Sequence, residues 1–184
     1  MKGRHPPHRL HLAVQYASNA RSLPTRSQLR RWIRTALQCD AAIALRIVDE
    51  PEGRTLNKRY RGRDRATNVL TFVYDDAQPR HGGVKPSGAG GVARRLHSRS
   101  AGSGRSVTQP PILSGDIVIC APVAAREAVA QHKDLTAHYA HLTIHAALHL
   151  QGYLHETDSD ASEMETLERA IMLKLRYPDP YPAI

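Results

Sequence analysis

The segment TIHAALHLQGYLHETD, residues 143–158, sets His145, His149 and His155 in the pattern H-x-x-x-H-x-x-G-x-x-H. Successive helical residues turn by about 100°, so His145 and His149 project side by side, about 40° apart around the axis. Both imidazoles can then reach one ion at the ~2.0–2.1 Å that zinc takes with nitrogen. Gly152 suits the end of such a helix, and the turned chain can bring His155 back to the same point. Three nitrogen ligands on so short a segment leave a fourth tetrahedral position for water, which marks a catalytic rather than a structural zinc site.

A single histidine on this helix would read as a core residue, because Leu142, Ile144, Ala146, Ala147, Leu148 and Leu150 make it apolar nearly all round. Three at ligand spacing reverse that, since ligation satisfies imidazoles that are costly to bury alone. His138 and His141 lie on the same stripe. His138 is expected at the surface or behind a ligand, and His141 as a partner to a ligand or a proton carrier.

Zinc lowers the pKa of bound water towards ~7, which supplies hydroxide at neutral pH. A zinc peptidase with this spacing carries a catalytic Glu directly after the first histidine, and here that position is Ala146. Phosphodiester cleavage has a different need, because charge builds on non-bridging oxygens and a guanidinium matches them. LNKRYRGRDRATNVLTF, residues 56–72, offers such cations ahead of a strand, although on charge alone it reads as a solvated basic loop.

The elements around this centre follow from periodicity. RLHLAVQYAS (9–18) alternates as an edge or first strand. AAIALRIVDE (41–50), TNVLTFVYDD (67–76) and GDIVICAP (115–122) read as further strands. LPTRSQLRRWIRTAL reads as a helix with a Thr25/Gln28 capping box and Leu29, Trp32, Ile33, Ala36 and Leu37 on one face. EGRTLNKRYRG has a short helical pattern, and APVAAREAVAQHK is an Ala-rich helix. The histidine helix begins at Asp134. A last helix opens at Ser159 or Asp160 and carries Met164, Leu167, Ile171 and Leu175 on one stripe. Strands early and helices late predict an α+β fold with the metal site on a buried helix in the C-terminal half.

A length of 184 residues fits one domain spanning 1–184. Residues 77–112 are rich in Gly, Pro, Ser and Arg without periodic apolar positions, and read as a basic disordered insertion within it. The net charge is +9 and is unevenly spread. Eight Lys and Arg precede the first acid, Asp40, and residues 77–113 form a second acid-free block. Clustered cations favour a polyanion, nucleic acid above all, through counterion release. The acids Glu156, Asp158, Asp160, Glu163, Glu165 and Glu168 suit the N-terminal end of the last helix and its solvated face. Cys39 and Cys120 follow apolar runs and read as buried thiols without a disulfide framework. No apolar run approaches the ~20 residues of a membrane span, which predicts a cytoplasmic protein with no membrane partner.

Three stretches, LNKRYRGRDRATNVLTF, GDIVIC and HAALHLQGYLH, resemble the signature stretches of the YbeY family, bacterial zinc-dependent single-strand-specific endoribonucleases of rRNA maturation. The usual forms read close to LNxxYRxxDxPTDVLSFP, GDIVI and HGxLHLxGYDH, and EMETLERAIMLKLRYPDPY is similar to the family's closing helix and tail. The resemblance implies a small mixed β-sheet packed with helices, one zinc ion on His145, His149 and His155 plus water, and Arg61 as the active-site cation on the scissile phosphate. It also implies precursor rRNA as substrate, trimmed near the small-subunit 3′ end. A role in ribosome quality control follows, with the small ribosomal subunit and assembly factors as partners. The basic insertion would then be an additional tether to RNA or ribosome.

Four positions depart from those forms. Ala146 replaces Gly, Leu154 replaces the Asp before His155, Ala66 replaces Pro, and Val73 stands where the strand normally meets Pro. If that Asp orients a ligand, Glu156 or Asp158 is the candidate to serve instead. Two other readings remain open: a zinc metallopeptidase, against which Ala146 speaks, and a non-catalytic ribosome-assembly factor that keeps the metal for stability.

Overall fold

The computed structural model describes residues 8–74 and 112–181. Along the chain these form β1 (Leu10–Ala17), α1 (Arg26–Ala36), β2 (Ala41–Val48), α2 (Glu50–Arg61) and β3 (Val69–Tyr74). After the gap follow β4 (Leu113–Cys120), α3 (Ala121–Ala130), α4 (Leu135–Leu150) and α5 (Asp158–Lys174). The insertion expected at 77–112 lies outside the described residues up to 111. No described helix is long and apolar enough to cross a membrane.

The strands pair in the order β1-β2-β4-β3. β2 runs parallel to both β1 and β4, while β3 lies antiparallel to β4 along the opposite edge. This is the small mixed sheet of an α+β fold. Alternation decides its faces. Ala41, Ile43, Leu45 and Ile47 are buried, and the register aligns them with Leu10, Leu12 and Val14 of β1 and with Leu113, Gly115, Ile117 and Ile119 of β4. That face joins one core with Leu29, Trp32 and Ile33 of α1, Ile144 and Leu148 of α4, and Met164 and Met172 of α5. The intervening residues Val118 and Cys120, with Val48 and Leu70, form a smaller cluster against which Leu56 of α2 and Phe72 pack.

The helix ends show how local chemistry sets the frame. Thr25 Oγ1 accepts from Gln28 N–H at 3.2 Å and Gln28 Oε1 accepts from Thr25 N–H at 2.8 Å, the expected capping box of α1, a device worth about 1 kcal/mol. Asp134 caps α4 by accepting from Ala137 N–H at 2.9 Å. α5 starts at Asp158, one or two residues earlier than expected, because the Thr157 hydroxyl accepts from Asp160 N–H at 3.1 Å and takes the cap. β4 ends at Cys120 rather than 122, since Ala121 and Pro122 already open α3, where proline suits the first turn. Cys120 is buried as expected, Cys39 only partly so, and both are free thiols.

Gly115, in GDIVIC, is where the helix carrying the histidines meets the sheet. A Cβ there would lie 2.5 Å from the Phe72 carbonyl oxygen and 2.8 Å from Leu150 Cδ2. The carbonyl belongs to the paired strand and cannot step aside without breaking the ladder. Gly115→Ala is therefore expected to cost about 1–3 kcal/mol, the scale of overpacking a filled core. It would appear as a lower urea midpoint at an unchanged m-value. An unchanged midpoint would mean that the β3–β4 pair yields more easily than this contact implies.

Candidate metal centre

α4 is the spine of the site, buried on nearly every side. Its exit is built to return the chain. Gly152 has φ 89°. Its N–H donates to the His149 carbonyl at 3.0 Å, and Tyr153 N–H reaches back to the Leu148 carbonyl at 3.2 Å. This is the double bond pattern of a Schellman end, which needs a left-handed residue and so favours glycine. The reversal places His155, on the far side of the turn, beside the last turns of α4.

The three histidines expected as ligands meet. Ring centroids lie 4.4 Å apart for His145 and His149, 5.0 Å for His149 and His155, and 5.8 Å for His145 and His155. One nitrogen from each falls within 4.8 Å of the others. His155 is exposed and the other two are half-buried, so the cluster opens to solvent on the side of His155.

Hydrogen bonding assigns the tautomers. His149 Nδ1 lies 2.8 Å from the Tyr153 carbonyl oxygen, which only accepts, so Nδ1 carries the proton. His145 Nδ1 lies 2.8 Å from Glu168 Oε1. Burial pushes the Glu168 carboxyl up, but hydrogen bonds from His141, His145 and Tyr181 outweigh it and hold the pKa at about 2. An ionised carboxylate only accepts, so His145 also carries its proton on Nδ1. The two Nε2 atoms therefore face each other at 3.0 Å with lone pairs inward. Such a pair repels unless a cation or a shared proton stands with it. Burial, then the charges of His145 and His155, depress the His149 pKa to about 4, which leaves its imidazole neutral and available near pH 7. The donor set fits a borderline metal such as zinc.

His138 is neither at the surface nor against a histidine of the cluster, the two places expected for it. Its side chain is only 3% exposed, and Nε2 meets Glu127 Oε2 at 3.1 Å. Asn68 Nδ2 donates to the same oxygen at 3.0 Å, which ties α3, α4 and the start of β3 together. His141 meets the buried acid Glu168, with Nε2 3.5 Å from Oε2. Glu156 and Asp158, the candidates to replace the acid missing at Leu154, are exposed and bond to no histidine among the described residues. Glu168 is the acid on the cluster. It is completely buried in place of the solvated position expected for it. One signal could have found it: Met164, Glu168 and Met172 repeat at four-residue spacing, which sets a charge on the apolar stripe of α5.

Arg61 is the last residue of α2, capped by Gly62. The next turn is fixed by buried Asn57, whose Nδ2 donates to the Arg65 carbonyl at 2.6 Å. Arg61 is exposed and makes no side-chain hydrogen bond or ion pair among the described residues. Partial loss of hydration, then the charge of Arg63, lowers its pKa from the usual value. By contrast Arg54 and Lys58 are engaged by Asp64 at 2.8 and 3.1 Å. No described contact joins Arg61 to the histidines. Their link is β3: Tyr60 packs edge-on against Phe72 at 4.9 Å, while Val69 packs into the core that holds α4.

The family model described as Endoribonuclease YbeY matches residues 14–176. Among similar proteins, Endoribonuclease YbeY of Nitrosospira multiformis is 49% identical over 98% of this chain and 86% of its own length. Those of Nitrosomonas europaea and Methylobacillus flagellatus are 46% and 45% identical, over 92% and 94% of this chain and 84% and 94% of theirs. A match that runs from within β1 to beyond α5, through the histidine cluster and the Arg61 segment, leaves one assignment: the chain belongs to the YbeY family.

Proposed function

We propose that this protein is a zinc-dependent, single-strand-specific endoribonuclease that acts on precursor rRNA in small-subunit 3′-end maturation and ribosome quality control. The observation that carries the reading is the convergence of His145 and His149 Nε2 at 3.0 Å, closed by His155. The names of the relatives supply the reaction class, since each is an endoribonuclease. Precursor rRNA, the small ribosomal subunit with its assembly factors, and a cytoplasmic place of action rest on the family resemblance and the +9 charge.

A zinc ion on His145, His149 and His155 supplies Lewis acidity and a water of lowered pKa. The chain's own residues do the rest. His149 is held by the Tyr153 carbonyl and His145 by Glu168, so neither ring turns away. Arg61 is the proposed partner of the scissile phosphate, where a guanidinium matches the developing charge on two oxygens. Ala146 is fully buried in the core, so no side chain at that position acts as a peptidase base.

The test is cleavage of an end-labelled unstructured RNA and of its duplex by the purified protein, with and without chelator. The expected result is cleavage of the single strand alone, lost on chelation and restored by zinc. Cleavage indifferent to chelator would overturn the metal-dependent reading.

A further inference from the structure

We propose that Glu168 is a positioning residue of the metal centre, and that the C-terminal tail belongs to that centre because Tyr181 completes the carboxylate's shell. The inference rests on the metal reading of the histidine cluster. Its geometry is direct. Glu168 Oε1 takes the Nδ1–H of His145 at 2.8 Å, so the carboxylate fixes both the ring's orientation and the nitrogen left for the metal. Glu168 Oε2 accepts the hydroxyl of Tyr181 and lies 3.5 Å from His141 Nε2. His141 Nε2 is also 3.2 Å from the Tyr181 hydroxyl.

The arrangement is a built one. Glu168 is 0% exposed, between Met164 and Met172 on the buried side of α5. An anion in that setting survives only when both oxygens are occupied by donors. Tyr181 arrives from beyond α5 and is itself held. Lys133 Nζ donates to the Pro180 carbonyl at 2.8 Å, Tyr181 N–H donates to Asp179 Oδ1 at 2.8 Å, and the Arg169 guanidinium lies over its ring at 5.3 Å. The tail thus reaches His141 of α4 and adds a donor on Oε2 to the His145 bond on Oε1.

His141, His145 and Glu168 also lie close enough to hold an ion of their own. A second ion there would need His145 to ligate through Nδ1 as well as Nε2, and Nδ1 already carries the proton given to Glu168. The cluster therefore supports the first ion instead of binding another.

Three variants and the wild type, each checked for folding by its amide NMR spectrum, test this. Zinc affinity is read by competition with a chromophoric chelator, and the His145 tautomer by side-chain ¹⁵N shifts of the metal-free protein in mildly alkaline buffer. Glu168→Gln keeps one acceptor and loses the charge. It is expected to weaken zinc by 10–100-fold, the usual cost of an outer partner, with His145 still protonated on Nδ1. Glu168→Met removes the acceptor, and His145 is expected to revert to the Nε2–H form. Tyr181→Phe is expected to weaken zinc by a smaller factor, about threefold to tenfold, below that outer-partner range. Folded Glu168→Gln protein that binds zinc within about twofold of wild type, or a wild type that takes two zinc ions per chain, would overturn the proposal. A wild type that binds no zinc would remove the metal reading itself and the proposal with it.

Discussion

His149→Ala is expected to abolish RNA cleavage and to weaken zinc binding more than about 100-fold, beyond the 10–100-fold that loss of an outer partner costs. The substitution removes one of the two facing Nε2 atoms and also the Nδ1–H bond to the Tyr153 carbonyl, which ties the helix end to the returning chain. The fold should survive, because the core of α4 is made by Ile144, Ala147, Leu148 and Leu150 on its other sides. Two measurements check this: zinc content after dialysis, and cleavage by wild type and variant purified side by side. The second also controls for contaminating nuclease, which would cut equally in both preparations. Bound zinc unaffected by the substitution would sink the ligand assignment. Equal cleavage would sink the enzyme.

Arg61→Ala is expected to cut the cleavage rate by roughly 10²–10³-fold, the scale of removing one preorganised donor from a developing charge. Zinc affinity and thermal stability should stay as they are, since Arg61 is exposed and bonds to no described residue. That combination separates a catalytic cation from a structural one. Arg61→Lys should recover only part of the rate, because an ammonium cannot grip two phosphate oxygens at once. Single-turnover rates on zinc-loaded protein are the proper comparison. If the alanine variant cleaved within a few-fold of wild type, Arg61 would be one solvated cation among its neighbours Arg59, Arg63 and Arg65.

The histidine cluster was legible because its geometry is local. Helical periodicity and one helix-ending glycine fix where His145, His149 and His155 stand, and no long-range contact is needed to bring them together. The same holds for the Thr25/Gln28 box and the Asp134 cap. Glu168 was illegible for the opposite reason. It sits among acids whose places are explained by solvent and by the positive helix end, and only the docking of α5 on α4 buries it against His145. Tyr181 was hidden further still, in a tail with no periodicity at all. His138 shows the same limit, because its partner Glu127 comes from another helix. Arg61 could be singled out by motif, but where α2 stands in the fold depends on its packing against β4 and α3, which no short stretch of sequence encodes.

The antiparallel pairing of β3 with β4 has a consequence for how this chain tolerates change. Tyr74 faces Ser114 across the ladder, so the two ends of the connection are pinned a strand spacing apart, whatever lies between them. Closing a loop costs free energy that grows only with the logarithm of its length, about 0.6 kcal/mol for each doubling. A connection of many residues therefore burdens the fold little more than a short one does. Sequence can be lengthened, shortened or exchanged there at little cost to the pairing of the two strands. An engineer who wanted to graft a reporter or a targeting module onto this protein would begin between Tyr74 and Leu113.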